Sequence, residues 1–125
     1  MTTMMKRWLV PVASLTLGVL ANNAAGIRTV ICITEGIPVR DMNAVMPRVR
    51  AAGVRLIGPN CLGVARPSSH LNATFARSRL HDGPVAVVSQ SGAICTALLD
   101  FAEGNGIGLS TVVSMGACAD IDFGE

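Results

Sequence analysis

A chain of 125 residues and 12.9 kDa, half of them hydrophobic, 14% charged and with mean hydropathy +0.51, must collapse in water, which excludes a disordered or collagen-like protein. Aromatic residues reach only 3%, and the formal charge of +2 comes with no run of five bases. Neither an RNA-binding sheet with stacking rings nor a basic nucleic-acid surface is therefore expected, and the length suits one domain or parts of two.

The first elements are ambiguous. Lys6 and Arg7 precede an uncharged stretch over residues 8–27, and Val19-Leu20-Ala21 has the small-residue form of a signal-peptidase site. Pro11, Ser14, Thr16, Gly18, Asn22 and Asn23 interrupt it, so it is not a membrane span. The same residues also read as a strand end at Val10-Pro11 followed by a helix that closes over residues 21–26.

From Gly26 the pattern is regular. Residues 28–34 (RTVICIT) form a β-branched run, as in a parallel strand buried on both faces. A helix is predicted over residues 39–52, with Met42, Val45, Met46 and Val49 on one face and Gly53 at its end. Pro38 suits its first turn, whereas Pro47 should kink or break it. A second strand is predicted at residues 54–57, followed by the loop 58–63. Residues 65–83 are polar and aperiodic and read as a connection between domains. A buried strand at 84–89, a turn, a helix at 93–103 and a strand at 109–114 complete the order, with a Gly- and Asp-bearing loop after it. Alternation of this kind marks an α/β fold built on parallel sheets.

The four cysteines, Cys32, Cys61, Cys95 and Cys118, form no C-x-x-C, and the two histidines, His70 and His81, stand at no zinc spacing. No metal site is expected, and reduced thiols suit a cytoplasmic chain. Three loops fall at the carboxyl ends of predicted strands, where α/β proteins hold ligands. They are Ile33-Thr34-Glu35-Gly36, Gly58-Pro59-Asn60-Cys61 and Ser89-Gln90-Ser91-Gly92. The last places hydroxyls where a helix begins, which suits a phosphate, although Ser91 would equally serve as a plain helix cap. A serine-hydrolase elbow is not supported. Ser89 and Ala93 stand where G-x-S-x-G requires glycines, and no His follows His81.

In order, ITEGIPVRDM (33–42), GVRLIGPNCLGV (53–64), LNATF (71–75) and GPVAVVSQSGA (83–93) resemble the alpha subunit of succinyl-CoA synthetase and its relatives, the nucleoside-diphosphate-forming acyl-CoA synthetases. The ITEGIP stretch is nearer the succinyl enzymes, and LNATF, SQSGA and GACADIDFGE nearer the acetate type. The resemblance implies the end of a Rossmann-like CoA-binding domain (1–64), a connecting segment (65–83), and the start of a flavodoxin-like CoA-ligase domain (84–125). Extended back to Val10-Pro11, it favours the strand-and-helix reading of the N-terminus over a secretion signal.

It further implies coenzyme A contacts at Ile33, Thr34 and Glu35, with Asn60 and Cys61 bordering the same site. Ser89, Ser91 and Gly92 would hold the phosphate of a phosphohistidine or acyl phosphate. Thr96 stands where succinyl enzymes carry a tyrosine near succinate, so the resemblance does not fix succinate as the small carboxylic acid. ATP or GTP with Mg would act in the complete enzyme, together with a ligase beta-type subunit or domain, in a hetero- or homo-oligomer. The family's glycine-rich CoA loop has no counterpart in these residues, and its phosphorylated histidine falls beyond Glu125. A fragment is thus the expected reading, with sheet edges and apolar faces left open; the alternative is a non-catalytic chain that binds CoA, phosphate or a partner.

Overall fold

The structure, a computed structural model, describes residues 26–124. Both readings of the N-terminal segment therefore fall largely outside the described residues. In chain order the elements are β1 (Thr29–Ile31), α1 (Val39–Ala51), β2 (Arg55–Ile57), β3 (Gly63–Arg66), a 3-10 turn (Pro67–Ser69), β4 (Leu71–Thr74), β5 (Val85–Ser89), α2 (Gly92–Gly104) and β6 (Leu109–Ser114).

β1 and β2 pair in parallel, joined through α1. The helix buries Met42, Val45, Met46 and Val49, the face its periodicity marks, against Cys32, Val54 and Leu56. Pro47 lies inside α1 without ending it, and Pro38 caps the helix rather than occupying its first turn. A proline removes one N–H from the ladder, and burial of the surrounding apolar stripe offsets that loss.

The second sheet has the order β4-β3-β6-β5. β5 and β6 run parallel, and α2 connects them. Its core joins Leu62, Ala65, Cys95, Leu99, Ala102, Leu109 and Val112. Two expectations change here. The stretch read as an aperiodic connection contains β4, which pairs antiparallel with β3 in the register Gly63 to Thr74 and Arg66 to Leu71. Strands of four residues carry too few side chains to show a period, and their neighbours in the sheet supply what their own sequence lacks. β5, read as a buried strand, is instead an edge strand with Val88 half exposed. Ile94, Leu98 and Phe101 likewise form an exposed apolar face on α2.

The loop after β6 binds the two sheets together. Ala117 N–H donates to Pro59 O (2.8 Å), Ala119 N–H to Gly58 O (3.0 Å) and Ile121 N–H to Leu56 O (3.2 Å). Asp120 anchors this loop with a carboxylate that is 4% exposed. It accepts from Leu56 N–H (2.9 Å), Arg55 Nε (2.9 Å) and Arg50 Nε (3.2 Å). Burial alone would raise the Asp120 carboxyl, but the Leu56 N–H and the two guanidinium groups outweigh it and hold the group below its ordinary value. Among the described residues, no helix is long and apolar enough to cross a membrane.

Candidate functional site

The carboxyl ends of β1, β2 and β5 open on one cleft of about 930 Å3. Ile33, Thr34 and Glu35 come to it from the loop after β1, Asn60, Cys61 and Leu62 from the loop after β2, and Gln90, Ser91, Gly92, Ala93 and Thr96 from the start of α2. Phe75, just past β4, forms its remaining wall.

Backbone hydrogen bonds fix the first two loops against each other. Cys32 N–H donates to Ile57 O (2.9 Å), and Asn60 N–H to Thr34 O (2.9 Å). Asn60 adopts a left-handed backbone, φ 56°, which asparagine tolerates better than most residues. Its side chain is exposed at the cleft, whereas that of Cys61 is buried. The Cys61 thiol donates back to Cys32 O (3.3 Å). Burial, with Cys32 beside it, pushes this thiol up, so it stays protonated at neutral pH and offers the cleft no thiolate.

The third loop is a helix start. Ser91 is the N-cap of α2, and its Oγ accepts from Ile94 N–H (3.3 Å). The N–H groups of Gly92 and Ala93 open the helix, where no carbonyl of a preceding turn is available to them. These donors lie at the positive end of the helix dipole and face the cleft, which is an arrangement suited to an oxyanion. The Thr96 hydroxyl donates to Gly92 O (3.0 Å), leaving its oxygen lone pairs available. Ser89 does not line the cleft. Its Oγ accepts from Ser91 N–H (3.1 Å), which shapes the loop. Below it, burial pushes the Cys95 thiol up despite hydrogen bonds with Ser114 and Ser89.

Ser91→Ala removes the cap and is expected to cost about 1 kcal/mol of stability by urea denaturation. Ser91→Asp keeps an acceptor at the cap and should retain most of that stability. Equal losses in the two variants would contradict the capping role.

Eight of the nine residues singled out in the sequence thus meet at the cleft: Ile33, Thr34, Glu35, Asn60, Cys61, Ser91, Gly92 and Thr96. Leu62, Phe75, Gln90 and Ala93 were not singled out as site residues. Gln90 and Ala93 belong to the SQSGA stretch itself, while Phe75 reaches the cleft only because β4 pairs with β3. No group of three His, Cys, Asp or Glu that could hold a metal ion occurs among the described residues.

Comparison with known proteins accords with this geometry. Residues 82–125 match the family described as the succinyl-CoA ligase like flavodoxin domain. The chain is 47% identical over 70 residues to acetate–CoA ligase [ADP-forming] I of Archaeoglobus fulgidus, covering 56% of this chain and 10% of that protein. It is 40% identical over 92 residues to the succinate–CoA ligase [ADP-forming] subunit alpha 2 of the same organism, covering 74% and 32% respectively. Among solved structures, the dinucleotide forming acetyl-coenzyme A synthetase 1 of Ca. Korarchaeum cryptofilum in its apo form superposes with a TM-score of 0.81 at 31% identity, over 89% of this chain and 25% of that one. The same synthetase in complex with phosphate and ADP gives 0.78 at 35% identity, over 86% and 24%. The chain therefore spans a third or less of these relatives. The strands, the cleft loops and these matches together make the chain similar to part of the ADP-forming acid–CoA ligases, with residues 82–125 matching the succinyl-CoA ligase like flavodoxin domain.

Proposed function

We propose that this chain is the part of an acid–CoA ligase that supplies coenzyme A- and phosphate-contacting loops to a reaction proceeding through an acyl phosphate and a phosphohistidine. The observation that carries this reading is the convergence of the Ile33-Thr34-Glu35 loop, the Asn60 turn and the N-terminus of α2 on one cleft. The donor set fits the chemistry. Two free helix N–H groups and the Ser91 cap stabilise a transferring phosphoryl group, while the exposed Thr34 and Glu35 offer a hydroxyl and a carboxylate to the polar groups of coenzyme A. In this reading Thr96 and Phe75 border the small carboxylic acid. ATP or GTP with Mg, and the histidine that carries the phosphate, come from other segments or from a beta-type subunit. The exposed apolar face of α2 and the open edge at β5 are where such a segment could pack.

Thermal unfolding of the 125-residue chain with and without coenzyme A tests the binding part. A ligand present at a hundred times its Kd stabilises by about 2.7 kcal/mol, so millimolar coenzyme A is expected to raise Tm by several degrees. Thr34→Val together with Glu35→Gln should shrink that rise without changing the Tm of the free chain. No rise at millimolar coenzyme A would refute the assignment of these loops.

A further inference from the structure

A second cavity, of about 440 Å3, lies away from the cleft, between the turn that joins β3 to β4 and the segment that leads into β5. Its walls combine two kinds of side chain. Pro67, Leu71 and Leu80 are apolar, and His70, Asn72 and Arg79 carry N–H donors. From this combination we infer that the cavity binds a phosphate monoester, its phosphate held by Arg79, Asn72 and His70 and its organic body resting on Leu71 and Leu80.

Three observations support the inference. The donors are available: neither the Arg79 guanidinium nor the His70 ring has a hydrogen bond or ion pair among the described residues. The Asn72 side chain is pinned through its oxygen, which accepts from Thr74 N–H (3.1 Å) and Thr74 Oγ1 (2.7 Å), so its NH2 is left to donate elsewhere. The segments that supply the walls are basic, since residues 66–81 hold Arg66, Arg77 and Arg79 and no acid. One wall residue, Ser78, donates its hydroxyl to Asp100 at 2.6 Å. Donors from three positions suit a tetrahedral oxyanion, and a volume of this size leaves room for a small body beside it.

The test is an NMR titration of the full chain with phenyl phosphate and, separately, with inorganic phosphate. Saturable shifts of the Leu71, Asn72 and Leu80 amides are expected with phenyl phosphate. Arg79→Gln should weaken them about tenfold or more, the usual loss of a charged hydrogen bond. Asn72→Asp keeps the acceptor that pins the turn but sets a negative charge against the ligand, so it should abolish the response in a folded chain. The Gly92 and Ala93 amides report separately on the helix terminus in the main cleft, and both variants should leave their behaviour unchanged. Shifts confined to those two amides, or a Leu71 response that survives both substitutions, would overturn the inference. Equal affinity for inorganic phosphate would overturn the organic body and leave the free anion as the ligand.

Discussion

Gly116→Ala is expected to destabilise the chain by roughly 2–4 kcal/mol and to disorder the cleft at the same time. Gly116 has a φ of +60°, where an L side chain is strained. A Cβ there would fall 2.6 Å from the Asn60 carbonyl oxygen and 2.8 Å from its carbon, and closer still to the Pro59 oxygen. All three are backbone atoms, so no side chain can rotate away. Relief requires the loop after β6 to part from the turn at residues 58–60, which breaks the Ala117-to-Pro59 hydrogen bond and shifts Asn60. Urea denaturation should give the loss in stability, and any coenzyme A-dependent rise in Tm should fall with it. A variant as stable as the parent would show that the two loops do not meet as described.

Asp120→Asn should cost about 2–3 kcal/mol near pH 7, less than a fully buried pair because Arg50 and Arg55 are themselves partly exposed. The substitution leaves an acceptor for Leu56 N–H but removes the charge that both guanidinium groups face. The pH dependence follows from the sign of the shift. The folded carboxyl titrates below its unfolded value, so its stabilisation is complete above the unfolded pKa of about 4 and is lost as the pH falls through the depressed folded value. The stability gap between parent and Asp120→Asn should therefore be large at pH 7 and narrow toward pH 3. A gap that stays constant over that range would mean that the charge of Asp120 contributes nothing. High salt should reduce the gap only modestly, because the carboxylate itself is buried.

Much of the fold was legible before any coordinates. The stripe Met42, Val45, Met46, Val49 matches the buried face of α1, and the limits of β6 agree residue for residue. The same holds for the three loops that meet at the cleft, because ligand sites in α/β proteins gather at the carboxyl ends of strands. The exceptions share one cause. Ser89 was expected at the phosphate from the resemblance, yet it does not line the cleft and its Oγ accepts from the Ser91 N–H. Cys61 sits in the right loop, but its thiol is turned inward to Cys32 O. Sequence position tells which loop a residue occupies and not which way its side chain turns.

By itself, then, the sequence determined the order of β1, α1, β2, β5, α2 and β6, the core face of α1, the capped start of α2 and the resemblance to acid–CoA ligases, since all of these rest on local periodicity, local capping or motifs read along the chain. Tertiary structure decided the rest. β3 exists as a strand because it pairs with β6, β4 because β3 offers it a partner, and Val88 is half exposed because β5 takes the edge of the sheet. Phe75 reaches the cleft because the β3–β4 pairing carries it there, and Asp120 closes the two sheets across more than sixty residues through Leu56, Arg50 and Arg55. These depend on contacts between segments far apart in the chain, whose free energy leaves no periodic trace in any one of them.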